Sequence, residues 1–337
     1  MHDVKNILVL ENHNHVGDIL SSLTLFAALK KKYPNSHITF VAAQTSYPIP
    51  FFEVNPYINE VLVFEKSSLK ILYGFLKRLR KRKYQLGIVP STKTISRTLL
   101  ILNFISSAKI KAGVKSIDGK KNKSHYLLNL KSDFAWQSRH QMDRNLDIAK
   151  LIGCDLTNDE LALIKFNFSN EELLFAKHFL KENFSDSTKK IIGFHPGAGK
   201  IANTWDADKF IELICKLHTA FGSQILITKG FVDDAVVDKI SKSLDELGIK
   251  YVILQAHGIK KDGAVLSLID LYITNDTGTM HIGAFSGAKM ISLFGPTNPQ
   301  EWAPRGENQF FIKSESDNIN DIAVQDVFNV AKKMLSN

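Results

Sequence analysis

Short apolar runs alternate with helically spaced apolar positions along the whole chain, which is the pattern of a parallel α/β fold. Runs such as Ile7-Leu8-Val9-Leu10 read as strands buried on both faces. In the first half the pattern predicts strands near 6–11, 37–43, 60–64, 85–89 and 109–113, with helices near 18–33, 68–83, 93–106 and 138–153. The first helix carries Ile19, Leu20, Leu23, Phe26, Ala27 and Leu29 at helical spacing and stops at Tyr33-Pro34. The second half repeats the alternation, with strands near 190–195, 224–228, 251–255, 270–274 and 289–294. The segment 165–170, between a short strand and a helix from Glu171, marks the boundary. The expected division is one domain over 1–166, a second over 167–320 and a last helix within 321–337.

Three segments at strand ends carry candidate chemistry. The run Ile273-Thr274-Asn275-Asp276 leads into Thr277-Gly278, which opens a helix, and a second strand runs into Phe294-Gly295-Pro296-Thr297. A helix start offers unpaired N–H groups and partial positive charge, and Gly278 leaves its backbone open, so a diphosphate fits there without a metal. Asp276 suits either helix capping or a sugar hydroxyl, and His281 lies one turn beyond Thr277. Upstream, the strand ending at Phe194-His195 enters Pro196-Gly197-Ala198-Gly199-Lys200. This turn is neither a dinucleotide fingerprint nor a P-loop. The next helix starts too late, near Asp206, no acid ends the strand at Thr228, and Ile201 stands where a P-loop needs Ser or Thr. Asp206-Ala207-Asp208 reads as a helix cap rather than a metal-binding Asp-x-Asp. At the third strand end, Glu11 to Gly17 forms a polar loop before Asp18, an acid on the first turn of the first helix, suited to capping or to general-base work. His13 and His15 lack a third ligand nearby, so no metal site is expected.

Composition narrows the class. A chain of 337 residues, 44% hydrophobic and 23% charged, suits two ordinary domains. Cys154 and Cys215 lie in separate halves, so no disulfide framework is expected and a reducing cytoplasm is. The apolar core Ile7–Leu10 is too short for a signal peptide, and no run is long enough for a membrane span. Charge is unevenly spread: residues 1–165 hold 25 Lys and Arg against 13 Asp and Glu, a net of +12, while 166–337 hold 18 against 21, a net of −3. The run Lys77 to Lys83 follows Leu69, Ile71, Leu72, Phe75 and Leu76, giving a basic amphipathic helix suited to an anionic membrane surface, and Lys109 to Lys123 adds a second cluster. Nucleic acid is not expected as a partner, because no aromatic-basic RNA motif or zinc spacing is present.

Together these segments resemble the lipopolysaccharide heptosyltransferases, glycosyltransferase family 9, over nearly the whole chain. The blocks that carry the resemblance are Gly17-Asp18 followed by Leu29-Lys30-Lys31-Lys32-Tyr33-Pro34, Arg144-Asn145-Leu146 before Leu151-Ile152-Gly153, His195-Pro196-Gly197-Ala198 before Trp205, Asn275 to His281, and Phe294 to Thr297. The resemblance implies a GT-B fold of two Rossmann-like domains, acceptor held by the first and donor by the second, meeting in a central cleft. It implies a last helix packing back toward the first domain. It further implies an inverting, metal-independent transfer of heptose from ADP-heptose to an anionic lipopolysaccharide core acceptor, with no cofactor, at the cytoplasmic face of the membrane. Asp18 is the implied base. His195, Pro196, Gly197, Lys200, Asp276, Thr277, Gly278 and His281 are the implied donor site. Asn14, Gly17, Ser21 and Arg97 are the candidate acceptor site. The chain departs from the family where a phosphate-binding Lys commonly precedes the Trp by two residues: that place is Asn203, with Lys200 the nearby cation. It also departs around Ser21 and Thr24, where a His and a Pro are usual. A same-family transferase with another nucleotide-sugar, or a nucleotide-sugar isomerase on the same fold, are the alternatives.

Overall fold

The computed structural model describes residues 4–11, 15–43, 50–184 and 186–336. The chain divides into two compact units, Met1–Ile164 and Lys165–Asn337. The division falls just before the expected 166/167 because Phe166 belongs to the second unit: its N–H donates to Phe285 O at 2.8 Å and the two rings pack 6.1 Å apart.

The first unit runs β1 (Asn6–Leu10), α1 (Val16–Lys32), β2 (His37–Ala43), α2 (Phe51–Val54), β3 (Glu60–Phe64), α3 (Leu69–Leu79), β4 (Leu86–Val89), α4 (Arg97–Ile105), β5 (Ile110–Ile117), β6 (Lys120–Lys121), β7 (Leu130–Phe134), α5 (Gln141–Leu151) and α6 (Asn158–Ala162). Its sheet is ordered β3-β2-β1-β4-β5, with β7 parallel to β5 and the short β6 antiparallel to it. All other pairings are parallel. One sheet face packs on α1 and α5 through Phe26, Leu29, Leu146 and Ile148, and the other on α3 and α4 through Phe75, Leu79, Leu99 and Leu102. The alternation β-α-β forces this arrangement, since each crossover helix must bury its apolar stripe against the sheet.

The second unit runs α7 (Asn170–Asn183), β8 (Ile191–His195), α8 (Ala207–Phe221), β9 (Gln224–Thr228), α9 (Asp234–Glu246), β10 (Tyr251–Leu254), α10 (Ile259–Leu266), β11 (Leu271–Asn275), α11 (Gly278–Phe285), β12 (Met290–Phe294), α12 (Pro299–Trp302), β13 (Gln309–Lys313) and α13 (Val324–Ser336). Its sheet is parallel throughout and ordered β10-β9-β8-β11-β12-β13. In order of appearance this is the 3-2-1-4-5-6 sequence of Rossmann sheets. Local signals set the helix ends: Ser169 and Glu172 form a capping box at α7, and Asp206 accepts from Asp208 N–H at 3.0 Å at the start of α8. Gly222, at φ 59°, closes α8 in the left-handed conformation that glycine tolerates.

One expectation needs correction. The helix near 68–83 ends at Leu79, and only its second half is internal: Phe75 and Leu79 are buried in the first unit's core with Leu76 packed beside them, while Leu69 and Ile71 are exposed. The final helix α13 buries Val327, Ala331, Met334 and Leu335 in the second unit's own core beside α8. Its apolar stripe fills the sheet face that α8 alone leaves open. Met334→Ala should therefore cost about 2–5 kcal/mol in urea unfolding, as for any core residue, whereas a change under about 0.5 kcal/mol would mean that α13 rests on the surface.

Candidate functional site

In an open parallel sheet, ligands bind at the carboxyl ends of the strands where the strand order reverses. That point lies between β1 and β4 in the first unit and between β8 and β11 in the second. The Asp18, His195 and Asp276 motifs leave β1, β8 and β11, three of these four strands.

In the first unit, β1 ends at Leu10-Glu11, and α1 starts with His15 as N-cap and Asp18 on its first turn. Asp18 is 8% exposed. Its Oδ1 accepts from Lys93 Nζ, which arrives on the turn after β4, and its Oδ2 is buried without a hydrogen-bond partner among the described residues. Glu11, also 8% exposed, sits close enough that the Asp18 charge adds to burial in raising its carboxyl to about 8, with Lys93 opposing both. Glu11 is thus protonated at neutral pH beside the ionised pair.

The turns that carry Asp18 and Lys93 are held by α5. Arg144, buried, donates from Nη1 to Thr92 O at 3.1 Å and from Nη2 to Trp136 O at 2.9 Å. Asn145 donates to Ser21 O at 3.2 Å and to Gln141 O at 3.0 Å. The Arg144-Asn145 pair therefore clamps the Lys93 turn with one residue and α1 with the next.

In the second unit, Asn275 is fully buried at the end of β11 and joins three backbone segments. It donates to Pro196 O at 2.8 Å and Gly197 O at 3.3 Å, and accepts from Trp205 N–H at 3.3 Å. His195 is 3% exposed. Its Nδ1 lies 2.9 Å from Thr228 Oγ1 and 3.2 Å from Thr228 O, and its Nε2 lies 3.0 Å from Thr279 Oγ1. Because a carbonyl only accepts, the network assigns the ring proton to Nδ1 and makes Nε2 the acceptor of the Thr279 hydroxyl. Burial pushes the His195 imidazole below its ordinary pKa, against the pull of Asp233, whose Oδ2 is 3.6 Å from Nε2. Asp233 also accepts from Gly230 N–H at 2.7 Å, and a Cβ at Gly197 would fall 1.9 Å from its Oδ1, so only glycine fits there.

The rim of this edge is more open. Asp276, Thr277, Gly278 and Thr279 are half-buried. Thr277, not Asp276, is the N-cap of α11, and its side chain makes no capping hydrogen bond. Asp276 is instead held by Asn203 Nδ2, which donates to its O at 3.2 Å and its Oδ2 at 3.0 Å. That is the work done by the residue at the family's usual Lys position. Lys200 is exposed at the head of the same turn.

The structure thus brings His195, Pro196, Gly197, Lys200, Asp276, Thr277 and Gly278 to the carboxyl ends of β8 and β11, with His281 in the second turn of α11, its ring edge-on to Trp302 at 6.1 Å. His195, Pro196, Gly197 and His281 are buried and shape the turns, whereas Lys200, Asp276, Thr277 and Gly278 reach the rim. Gly17 neighbours Asp18 on α1 and Arg97 is exposed at the start of α4, but Ser21 is buried with its hydroxyl donated to Asp18 O at 2.8 Å. Ser21 serves the helix and cannot at the same time offer that hydroxyl to an acceptor. Asn14 lies outside the described residues. Lys93 and Glu11 escaped the sequence reading, although both sit at the ends of β4 and β1, the two strands that flank the reversal.

Two Rossmann-like parallel sheets, each with candidate residues at its strand-order reversal, are those of the GT-B fold. The chain belongs to glycosyltransferase family 9 (heptosyltransferase), whose family model matches residues 72–331. It is 26% identical over 304 residues to lipopolysaccharide heptosyltransferase 3 of Escherichia coli, covering 87% of this chain and 84% of that protein. Its fold is similar to the crystal structure of a family 9 glycosyl transferase from Veillonella parvula, with a TM-score of 0.80, 20% identity, and coverage of 99% and 98% of the two chains. It is also similar to E. coli ADP-heptose lps heptosyltransferase II, with a TM-score of 0.76, 19% identity and 98% coverage of both.

The raised Glu11 carboxyl makes stability depend on pH. Between its ordinary value of 4.5 and about 8, the folded chain keeps a proton that the unfolded chain has released. Folding stability therefore falls as pH rises through that window and levels off above it. Glu11→Gln should flatten this slope in urea midpoints measured from pH 5 to pH 9; an unchanged slope would place the titration elsewhere.

Proposed function

We propose that this chain transfers heptose from ADP-heptose to the inner core of lipopolysaccharide, onto a Kdo or heptose residue, with inversion at the anomeric carbon and without a metal. The observation that carries this reading is the Asp18 carboxylate, paired through Oδ1 with Lys93 and without a partner at Oδ2 among the described residues, in a chain of the heptosyltransferase family. The similar proteins named above add the substrates: one is a lipopolysaccharide heptosyltransferase and another is described by its ADP-heptose donor.

In this mechanism Asp18 Oδ2 takes the proton of an acceptor hydroxyl as that oxygen attacks the anomeric carbon. The bond from carbon to the diphosphate oxygen breaks, its electron pair leaving with the nucleotide. Lys93 keeps the base oriented. The negative charge that develops on the diphosphate falls to the N–H groups of the first turn of α11, at Gly278 and Thr279, and to Lys200. Asp276, steadied by Asn203, accepts from the donor's hydroxyls, and His195, Pro196, Gly197 and His281 keep the turns in shape. Arg97, Gly17 and Asn14 form the acceptor side, where a cation suits a phosphorylated, carboxylated sugar.

Asn203 favours one second reading, the same chemistry with a different nucleotide-sugar, because its amide is committed to Asp276 and adds no charge for a diphosphate. Calorimetry with ADP, UDP, GDP and ADP-heptose, chelator present, separates the two. ADP and ADP-heptose should bind best, and Lys200→Ala should weaken both by about tenfold or more. Preference for UDP or GDP would discard the heptose donor. Asp18→Asn should lower the transfer rate by about 10²–10⁴ while leaving ADP affinity near wild type. Donor consumption without any acceptor would replace transfer by isomerisation.

A further inference from the structure

We propose that the first turns of α3 dock this protein on an anionic phospholipid bilayer. The inference goes beyond the reaction above and does not depend on which nucleotide-sugar is used. Although α3 buries Phe75 and Leu79, its start leaves large apolar side chains in water: Leu69 is 87% exposed, Tyr73 70% and Ile71 43%. Helical rotation of roughly 100° per residue sets Lys70 and Lys77 in the middle of the outward face, with Leu69 and Tyr73 on one flank and Ile71 on the other. Exposed apolar groups interleaved with cations match the boundary between lipid headgroups and acyl chains.

The charge around them has one sign. From Lys66 to Ile117 the chain holds 13 Lys and Arg and no Asp or Glu. Some of these are neutralised by acids outside the segment, as Arg78 and Arg82 are by Glu60. Lys70, Lys77, Arg80, Lys81 and Lys83 make no ion pair among the described residues. Position completes the argument. The helix follows β3 directly, so its exposed start lies at the carboxyl edge of the first sheet, the edge that carries Asp18 and Lys93. A bilayer bound there meets the first unit on its reactive side. Nucleic acid fits the charge but not Leu69 and Ile71, which neither stack nor hydrogen-bond.

The test is co-sedimentation of the full chain with vesicles of phosphatidylcholine, with or without phosphatidylglycerol. Binding should require phosphatidylglycerol and weaken with salt. Lys70→Glu with Lys77→Glu should reduce it by about fivefold or more per charge lost, and Leu69→Ser with Tyr73→Ser by about tenfold. Because these side chains are exposed, urea midpoints should match wild type. The apolar variant should keep its rate on a soluble, delipidated acceptor and lose it on acceptor embedded in vesicles. Equal binding to neutral vesicles, no binding, wild-type binding by both variants, or tighter binding to an RNA fragment than to vesicles would overturn the proposal. A wrong donor assignment would leave the vesicle results unchanged.

Discussion

The reversal of strand order at the centre of each sheet is the constraint from which the rest follows. Where β1 meets β4 and β8 meets β11, the outgoing chains diverge, so the turns lose the ladder partners that the strands enjoy. Buried backbone groups left without partners cost about 1–3 kcal/mol each. Here buried side chains supply the partners: Asn275 serves Pro196, Gly197 and Trp205, Arg144 serves Thr92 and Trp136, and Asn145 serves Ser21. The residues that look most like ligand motifs in the sequence are thus divided between those that build the crevice and those that face it.

This division explains what was legible in the sequence. Buried parallel strands such as Ile7–Leu10 and Ile291–Phe294 are continuous apolar runs, and their positions follow directly from the pattern. The edge strand β13 was missed because Phe310 and Phe311 are exposed and its polar ends break the run, and β7, with Lys131, Ser132 and Asp133 in its middle, has no apolar signature. In the site, spacing located Asp18 and the His195 and Asp276 turns but not their roles. Thr277 rather than Asp276 holds the N-cap position of α11, and His195 points into the protein, because both outcomes depend on neighbours remote in sequence, Asn203 for one and Thr228 with Thr279 for the other. Lys93 is the strongest case: a lone Lys in a polar turn carries no signal until the sheet order sets β4 beside β1.

The first unit's charge surplus and its candidate base have a common origin. A segment with 13 cations and no acid cannot neutralise itself, so its charges either find acids elsewhere in the fold or stay in water. Lys93 finds Asp18, Arg82 finds Glu60, and Lys115 finds Asp133. Of these three acids Asp18 is the most buried, and it keeps one oxygen unpaired. Burial beside Asp18 has already driven Glu11 to hold its proton, so a second negative charge does not develop there. Lys93 therefore holds one oxygen of Asp18 and leaves the other without a partner among the described residues. Lys70 and Lys77 of the same segment, with no ion pair among the described residues, remain on the outer face of α3, so a single bias in composition places cations both beside the candidate base and at the same edge of the sheet.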